Sequence, residues 1–381
     1  MSKILSSISC NLDANILQAA LPLLAQEKIQ AIEWSFDTLY NHRKIPQWFV
    51  ELLGTFGDQG RLIGHGVYFS LFSGKWSKSQ QDWLDHLKKM SKNFQFDHIT
   101  EHFGFMTGES FHKGAPIGVP MTPTTLAIGR DRLKRIYEAC NCPVGLENLA
   151  FSYSLEEVKR HGDFLNQLIE AVNGFIILDL HNLYCQLHNF EVSYDEIIQL
   201  YPLDLVREIH ISGGSWETSD LLPGKKIRRD THDDSVPEEV FQLLKWSIDK
   251  CPNLKYVVLE QIGIGLETAD SKMQFQKDFL KMNEIVQQKN ELLAGTQKAT
   301  FLAKNIDLNN APIEDLNLHN QQMELSDILE NSQNYLEVKT RLKESSLGNT
   351  AWEVENWEPA MVETVFQIAQ KWKQGFSQES Y

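Results

Sequence analysis

Cysteine is scarce in this sequence, and long hydrophobic runs are absent. The 381 residues include 5 cysteines, an odd number spread along the chain, which excludes a framework of disulfide bonds. No run approaches the roughly 18 apolar residues that a membrane-spanning helix needs. The first residues contain a lysine but lack the hydrophobic segment of a signal peptide. We therefore expect a cytoplasmic protein that does not interact with membranes.

Basic residues are also few relative to acidic ones. Lys and Arg number 36 against 51 Asp and Glu, which gives a formal net charge of −15. A chain this acidic repels phosphate backbones, so a nucleic-acid partner is not expected. Hydrophobic residues make up 42% of the chain and charged residues 23%, a composition typical of globular proteins and not of disordered or fibrous ones.

Short β-rich apolar runs alternate with segments of helical periodicity over the first 290 residues. Because helical crossovers imply parallel strands, eight such units predict a (βα)₈ TIM barrel over residues 1–290. An open doubly wound sheet is the alternative, but the glycine-rich loop that would follow its first strand is missing. The predicted strands are Ile4–Ser9, Ile29–Trp34, Leu62–Val67, Asp97–His102, Val144–Asn148, Phe175–Asp179, Val206–Ile211 and Tyr256–Glu260.

Several helices are marked by their start signals or by one apolar face. Ser154, Ser193 and Ser235 each precede a Glu by three residues, as in a capping box, in which the two side chains satisfy the backbone at the helix start. The stretch Gln81–Phe94 places its large apolar residues at helical spacing.

The pattern changes after residue 290, which predicts a C-terminal helical extension over residues 291–381. Two helical stretches are expected, about Met323–Ser345 and Pro359–Phe376. The second has an apolar stripe that includes Met361, Val365 and Trp372, and such a stripe needs a surface to cover it. We expect the extension to pack on its own barrel, or on a second copy in a homodimer, away from any metal site.

Polar residues of ligand type stand where the predicted strands end. The carboxyl ends of parallel barrel strands meet at one mouth, where barrel enzymes carry out their chemistry. Buried carboxylates repel one another unless cations neutralise them, and a mixture of imidazole and carboxylate suits iron, zinc or manganese. There are more ligands than one ion can use, so two or three metals are expected, with Glu147 as a bridge. The strand-end residues are Glu33, His65, Glu101, His102, Glu147, Asn148, Asp179, His181, Asn182, His210 and Glu260, joined by Asp230, His232 and Asp233 from the loop after the seventh strand.

Other histidines are not assigned to this mouth. His98 is expected to have a surface or packing role. His188 follows the sixth strand and is a weaker candidate for the mouth.

The order of these motifs resembles a known family. GHGVYFS, TEH, GLEN, LDLHNLY, REIHISG, DTHDDSVPEEVFQLL and VVLEQ are similar, in the same order and over about residues 1–290, to domain-of-unknown-function family 692, the multinuclear non-heme iron-dependent oxidative enzymes. The resemblance implies a TIM barrel that binds two or three iron ions and uses O₂ as co-substrate. It implies oxidative modification of residues, often Cys, in ribosomally made precursor peptides, with a separate peptide-recognition partner protein in many members.

The resemblance also implies a set of metal ligands, and the sequence departs from the family pattern at two places. Where the family usually has Asn-Asn, this chain has His181-Asn182, and where Ala-Gly-His follows the seventh strand, it has Ser212-Gly213-Gly214. His181 is therefore added as an extra candidate ligand, and His65, His210 and Asp230 are assigned catalytic roles. The implied ligands are His65, His102, Glu147, Asp179, Asn182, His210, Asp230, His232 and Glu260.

Two other functions remain open at this point. Xylose-isomerase-like barrels, both isomerases and hydrolases, also gather His, Asp and Glu around two or three divalent metals, although the acidic charge argues against DNA and the lack of a strand-end Lys against an isomerase. The third reading is a non-catalytic, metal-dependent partner protein. For the peptide, we expect entry over the loops Phe69–Lys78 and Ser212–Arg229, with Trp76 and Trp216 gripping the chain.

Overall fold

Eight parallel strands form a closed ring. The computed structural model describes residues 3–40, 45–107, 114–292, 299–303 and 306–373. Within the ring each strand pairs with its neighbours in the sequence, and the first pairs with the eighth, so the predicted TIM barrel is confirmed. The strands, called first to eighth below, are Leu5–Ser9, Ala31–Trp34, Leu62–His65, Phe96–Glu101, Val144–Glu147, Phe175–Asp179, Val206–Ser212 and Tyr256–Glu260.

The barrel interior changes from apolar to polar along its axis. Ala31, Ile63, Tyr256 and Val258 form a small buried cluster of their own, separate from the main core between strands and helices. Further toward the carboxyl ends, the strands contribute buried carboxylates and imidazoles. Because successive side chains of a strand point to opposite faces, each strand contributes side chains both to the outer apolar core and to this polar interior.

Helices follow the strands and cover the ring. α3 buries the predicted apolar face that includes Trp83 and Leu87. The helices of the barrel are α1 (Ala14–Ala25), α2 (Gln47–Gly57), α3 (Lys78–Asn93), α4 (Pro123–Cys140), α5 (Leu155–Ile169), α6 (Leu180–Asn189), α7 (Tyr194–Ile198), α8 (Glu238–Ser247) and α9 (Ala269–Leu292). No helix in the described ranges is long and apolar enough to cross a membrane.

Two of the three predicted capping serines start helices. Ser154 accepts a hydrogen bond from the Glu157 amide at the start of α5, and Ser193 forms a full capping box at α7. The prediction for Ser235 is wrong, because α8 begins at Glu238, with Pro237 as its N-cap and no capping side chain. The Val236 amide instead donates to Asp278 Oδ2 at 3.0 Å, which holds this segment as a loop.

Two short antiparallel ribbons extend the loops at the mouth. One pairs Phe105–Met106 with Pro116–Ile117 after the fourth strand. The other pairs Trp216–Thr218 with Lys226–Arg228 after the seventh strand.

Within the described residues, the C-terminal region contains three α-helices: α10 (Leu316–Asn331), α11 (Tyr335–Glu344) and α12 (Pro359–Lys373). The single helix expected over about Met323–Ser345 is therefore wrong. The chain breaks after Asn331, and Asn334 caps α11 by accepting a bond from the Glu337 amide at 3.1 Å. The end of the last predicted helix lies beyond residue 373, outside the described residues. The division into two domains at residue 290 stays a prediction.

The helical extension packs on the barrel's own loops. Gln322 Oε1 accepts from the Gly74 amide at 2.8 Å, after the third strand. Trp357 stacks on Tyr153, after the fifth strand, with ring centroids 3.8 Å apart. Glu363 accepts bonds from Ser219 Oγ at 2.6 Å and from the Asp220 amide at 2.9 Å, after the seventh strand.

Packing on the barrel itself is thus confirmed, whereas the expectation that the extension lies away from the metal site stays a prediction. All three of these loops follow carboxyl ends of strands, so the extension lies on the mouth side. Gln367 of α12 is 3.5 Å from Arg229, the neighbour of Asp230.

Candidate metal centre

Glu147, at the end of the fifth strand, lies at the centre of the polar interior. Its Oε2 is 3.5 Å from His65 Nε2 and 3.5 Å from His102 Nε2. Its Oε1 is 3.9 Å from His210 Nδ1. The two oxygens of one carboxylate therefore face different imidazoles, which is the arrangement of a bridging ligand.

His65 and His102 are oriented by hydrogen bonds at their far nitrogens. His65 Nδ1 lies 2.8 Å from Thr100 Oγ1, and the Thr100 hydroxyl donates to the Gly64 carbonyl at 3.3 Å. His102 Nδ1 lies 2.9 Å from the Gly66 carbonyl. Both Nδ1 atoms therefore carry the hydrogen, and both Nε2 lone pairs face Glu147, as metal-binding imidazoles require. Burial also lowers the pKa of His65 and of His102, which favours the neutral rings.

A second group of ligand atoms shares Glu147 with the first. Glu147, Asp179, His210 and Glu260 each offer one atom, all within 4.8 Å of one another. His210 Nδ1 is 3.2 Å from Glu260 Oε2. Asp179 ends the sixth strand and caps α6, because its Oδ1 accepts from the Asn182 amide at 2.5 Å, which leaves Oδ2 facing the site.

Asp230 and His232 form a pair beside the second group. His232 Nε2 is 2.8 Å from Asp230 Oδ1, and His232 Nδ1 is 3.8 Å from Glu260 Oε2. His232 has a left-handed backbone with φ of 53°, and its carbonyl accepts from the Ile262 amide at 2.9 Å. Such a conformation is strained for a residue with a side chain and persists only when neighbours impose it.

Asn182, the remaining amide ligand candidate, contacts Glu147 directly. Its Nδ2 donates to Glu147 Oε1 at 3.1 Å and to the Asn148 carbonyl at 2.8 Å.

Three buried polar atoms of this site have no hydrogen-bond partner among the described residues, namely Glu147 Oε2, Asp179 Oδ2 and Asn182 Oδ1. Leaving such atoms unpaired costs about 1–3 kcal/mol each. Burial raises the pKa of Glu147 well above its usual range and that of Asp179 to about 7. Cations would satisfy the lone pairs and neutralise the carboxylates, and the mixed N/O set suits iron, zinc or manganese. The residues present therefore fit a metal centre.

Ion pairs between imidazoles and carboxylates shift the pKa values of His210, Glu260 and Asp230 in opposite directions. Against the effect of burial, the carboxylates of Glu260 and Glu33 raise the pKa of His210. Against the same effect, His210 and His232 lower the pKa of Glu260, and His232 and His181 lower that of Asp230. Ion pairs with His210 and His232 thus offset part of the carboxylate charge that bound cations would neutralise.

His181 does not have a free nitrogen for a metal. Its Nδ1 is 3.0 Å from Asp230 Oδ1, and its Nε2 accepts from Arg228 Nε at 3.1 Å. The expected role of His181 as an extra ligand does not agree with this arrangement.

A third group, Glu33, Glu208 and His210, lies deeper in the barrel, and of its members only Glu208 was not expected from the sequence. His210 Nε2 is 3.2 Å from Glu33 Oε2 and 3.5 Å from Glu208 Oε1. Glu208 Oε2 in turn is 2.7 Å from His98 Nε2. The alternation of Glu208 with His210 along the seventh strand is the signal that places both in the interior. His98 is accordingly an interior barrel residue with charged partners, and not a surface residue.

The two tryptophans expected to grip a peptide at the mouth, Trp76 and Trp216, have different surroundings in the structure. Arg132 and Arg135 lie over the ring of Trp76, at 4.7 and 5.4 Å from its centroid, so this ring is already covered. Trp216 is 44% exposed. His188 is exposed, and its ring contacts Trp216, with centroids 4.5 Å apart, instead of entering the mouth.

The match with a protein family agrees with this geometry. Residues 26–263 match the family described as RiPP precursor modification enzyme MbnB/TglH/ChrH, where RiPP denotes a ribosomally synthesised and post-translationally modified peptide. The chain belongs to this family. The resemblance to family 692 inferred from the motifs is thereby confirmed.

Curated relatives are similar to this chain at low sequence identity. A UPF0276 protein of Caulobacter vibrioides is 25% identical over 181 residues, which cover 47% of this chain and 61% of the relative. A UPF0276 protein of Acinetobacter baylyi is 22% identical over 211 residues, which cover 55% and 70%. The chain thus spans about three fifths of the length of the first of these relatives.

Among solved structures, the IOLI protein with a bound zinc atom is 11% identical with a TM-score of 0.49, covering 75% of this chain and 99% of that one. An L-ribulose 3-epimerase is 12% identical with a TM-score of 0.47, covering 78% and 100%. These likenesses are weak, and the barrel assignment rests on the ring of eight strands itself.

Proposed function

We propose that the chain is a multinuclear non-heme iron enzyme that uses O₂ to modify Cys residues of a ribosomally synthesised precursor peptide. The observation that carries the proposal is the position of Glu147, whose carboxylate belongs to two groups of ligand-type side chains. A shared carboxylate holds two metal ions close together, as in two-metal catalytic sites. Membership of the family supports the class of substrate.

The ligands divide between the metal positions as follows. His65, His102 and Glu147 would hold one ion, and Glu147, Asp179, His210 and Glu260 a second. Asp230 and His232, with Asn182 nearby, are the candidates for a third. Iron bound there would supply one-electron chemistry with O₂ and a Lewis acid for a thiolate.

The chain's own residues orient these ligands and govern access to them. The hydrogen bonds to Thr100 and Gly66 fix two imidazoles with their lone pairs inward. The side chain of Glu147 is only 4% exposed, whereas those of Asp230 and His232 are 24% and 23% exposed. Because the side chain of His102 is 29% exposed as well, Glu147 itself is covered while the ligands on both flanks are partly open, and we propose that the peptide arrives on the Asp230 side. Trp216 stands on that side and is available to contact the peptide.

Iron content tests the metal part of the proposal. Full-length protein purified without oxygen from iron-supplemented cells should contain at least two irons per chain, seen by metal analysis and Mössbauer spectroscopy. Glu147→Ala should lose metal from both groups, because both depend on this carboxylate. Less than one metal per chain in the unaltered protein, or a full metal load in Glu147→Ala, would contradict the proposal.

Modification of a peptide tests the second part of the proposal, namely the substrate and the O₂-dependent reaction. Co-expression with short Cys-containing peptides encoded beside this gene should give an O₂-dependent change in peptide mass. His65→Ala and His210→Ala should abolish the change. His86→Ala, on the outer helix α3, is the matched control and should retain it. Equal modification with the His65 and His210 variants would show that the iron mechanism is wrong, and a metal-loaded protein that isomerises a sugar would favour the xylose-isomerase-like reading.

A further inference from the structure

A chain of two buried side chains leads to Asp230 Oδ1, the oxygen that His232 Nε2 also approaches at 2.8 Å. Arg228 Nε donates to His181 Nε2 at 3.1 Å, and His181 Nδ1 lies 3.0 Å from Asp230 Oδ1. Arg228 is 4% exposed and His181 is fully buried. All of the contacts are at hydrogen-bonding distance, so the three side chains form a continuous line into the site.

Only one assignment of hydrogen-bond donors and acceptors is possible along the line from Arg228 through His181 to Asp230. A guanidinium group has donors and no acceptor, so the Arg228 hydrogen bond uses the lone pair of His181 Nε2. The hydrogen of the neutral ring is then on Nδ1, where it points at the Asp230 carboxylate. The ring therefore presents one donor to Asp230 and retains no lone pair for a metal ion.

Neighbouring residues hold Arg228 in place. Asn189, on α6, accepts from the Arg228 amide at 2.8 Å and donates to the Arg228 carbonyl at 3.0 Å. The guanidinium carbon lies 5.6 Å from the ring centroid of Tyr184 and 5.1 Å from that of Trp216. Contacts of this kind attract a cation to the aromatic face.

A glycine makes the space for the His181 ring. A Cβ at position 214 would lie 2.9 Å from His181 Cε1 and 2.2 Å from the Arg229 carbonyl oxygen. Any side chain at position 214 would therefore displace the imidazole or the strand that carries Arg228 and Asp230. The glycine after the seventh strand and the histidine after the sixth strand depend on each other.

We propose that Arg228 and His181 are positioning residues that hold the Asp230 carboxylate in the geometry needed for metal binding. The inference rests on the proposed metal role of Asp230. Residues that orient a metal ligand from behind typically change metal affinity about 10- to 100-fold when they are removed. The same chain connects the exposed ring of Trp216 with Asp230 through the Arg228 guanidinium group and the His181 ring.

Metal binding by the metal-free full-length chain tests this role, with Mn²⁺ as the probe and free Mn²⁺ measured by electron paramagnetic resonance. His181→Leu removes both hydrogen bonds, and Arg228→Met removes the donor while keeping most of the apolar stem. Both should weaken the Mn²⁺ site that depends on Asp230 about 10- to 100-fold. His181→Asn places an amide donor near the position of Nδ1–H and should restore binding to within a few-fold. His86→Leu is the control and should bind as the unaltered protein does.

The outcomes separate this inference from the proposed function. If Arg228→Met binds Mn²⁺ as well as or better than the unaltered chain, His181 acts as a ligand or not at all, and the inference is overturned. The same conclusion follows if His181→Asn is as weak as His181→Leu. Asp230→Ala supplies the reference: if it keeps full Mn²⁺ affinity, the proposed metal role of Asp230 fails as well. If Asp230→Ala loses binding while His181→Leu does not, only the positioning role fails.

Discussion

Replacing Glu33 by Gln tests how strongly the barrel interior depends on a bound cation. Glu33 is fully buried on the second strand, and its Oε2 lies 3.2 Å from His210 Nε2. Its Oε1 has no hydrogen-bond partner among the described residues. Burial, only partly opposed by His210, raises the pKa of Glu33 to about 8 from 4.5. The substitution keeps the shape of the side chain and removes its charge.

The sign of the effect follows from the two pKa values. In the unfolded metal-free chain Glu33 ionises above about pH 4.5, whereas in the folded chain it stays protonated until about pH 8. The free energy of unfolding should therefore fall as the pH rises through this window. A pKa difference of about 3.5 corresponds to at most about 5 kcal/mol, at about 1.4 kcal/mol per unit. Gln does not titrate, so the variant should lack this loss.

Guanidinium chloride denaturation in EDTA, at pH 5 and at pH 8, measures the difference. At pH 5 the variant and the unaltered protein should differ little, and at pH 8 Glu33→Gln should be more stable by a few kcal/mol. Glu344→Gln, on the surface of α11, controls for the loss of one acidic residue. If the difference between Glu33→Gln and the unaltered protein is the same at both pH values, the reasoning about the buried carboxyl is refuted.

Two further predictions concern the mouth. Truncation after residue 290 removes α10, α11 and α12 and should cause aggregation or a large loss of thermal stability, with metal binding retained; a soluble and equally stable barrel in a melting experiment would contradict this. Gly214→Ala should destabilise the protein by roughly 1–3 kcal/mol and weaken Mn²⁺ binding, because its Cβ would lie 2.2 Å from the Arg229 carbonyl oxygen. Gly54→Ala, whose Cβ would have no neighbour within 4 Å, is the control and should not reduce stability.

The barrel and most of its polar mouth could be predicted because both depend on local patterns. The predicted sixth and eighth strands, Phe175–Asp179 and Tyr256–Glu260, agree with the structure at both ends. An apolar run that ends in a carboxylate is visible within a few residues of sequence. Once the strands are known to be parallel, all such ends share one mouth, and Glu147, Asp179 and Glu260 come together without further information.

Features that depend on contacts between distant segments were not predictable in the same way. The sequence contains His181 and Gly214 as separate departures from the family pattern, and only the structure places them side by side. Glu208 lies inside a strand and not at its end, so a search of strand ends overlooks it. The apolar stripe of α12 indicates that a partner surface exists, but nothing in the stripe specifies the loops after the third, fifth and seventh strands.

The position of the C-terminal helical extension bears on the side from which a peptide can reach the candidate metal centre. Gln322 and Trp357 hold the loops after the third and fifth strands, and the ring of Trp76 is covered by Arg132 and Arg135. Exposed side-chain fractions of 29% for His102 and of 24% and 23% for Asp230 and His232 mark two openings to the candidate ligands, and the second opening is at Asp230 and His232. Trp216 stands beside that opening, and its ring contacts the guanidinium group that holds His181. A peptide arriving there would meet the aromatic ring, then Asp230 and His232, and only then Glu147, while the helical extension contributes no candidate ligand among the described residues.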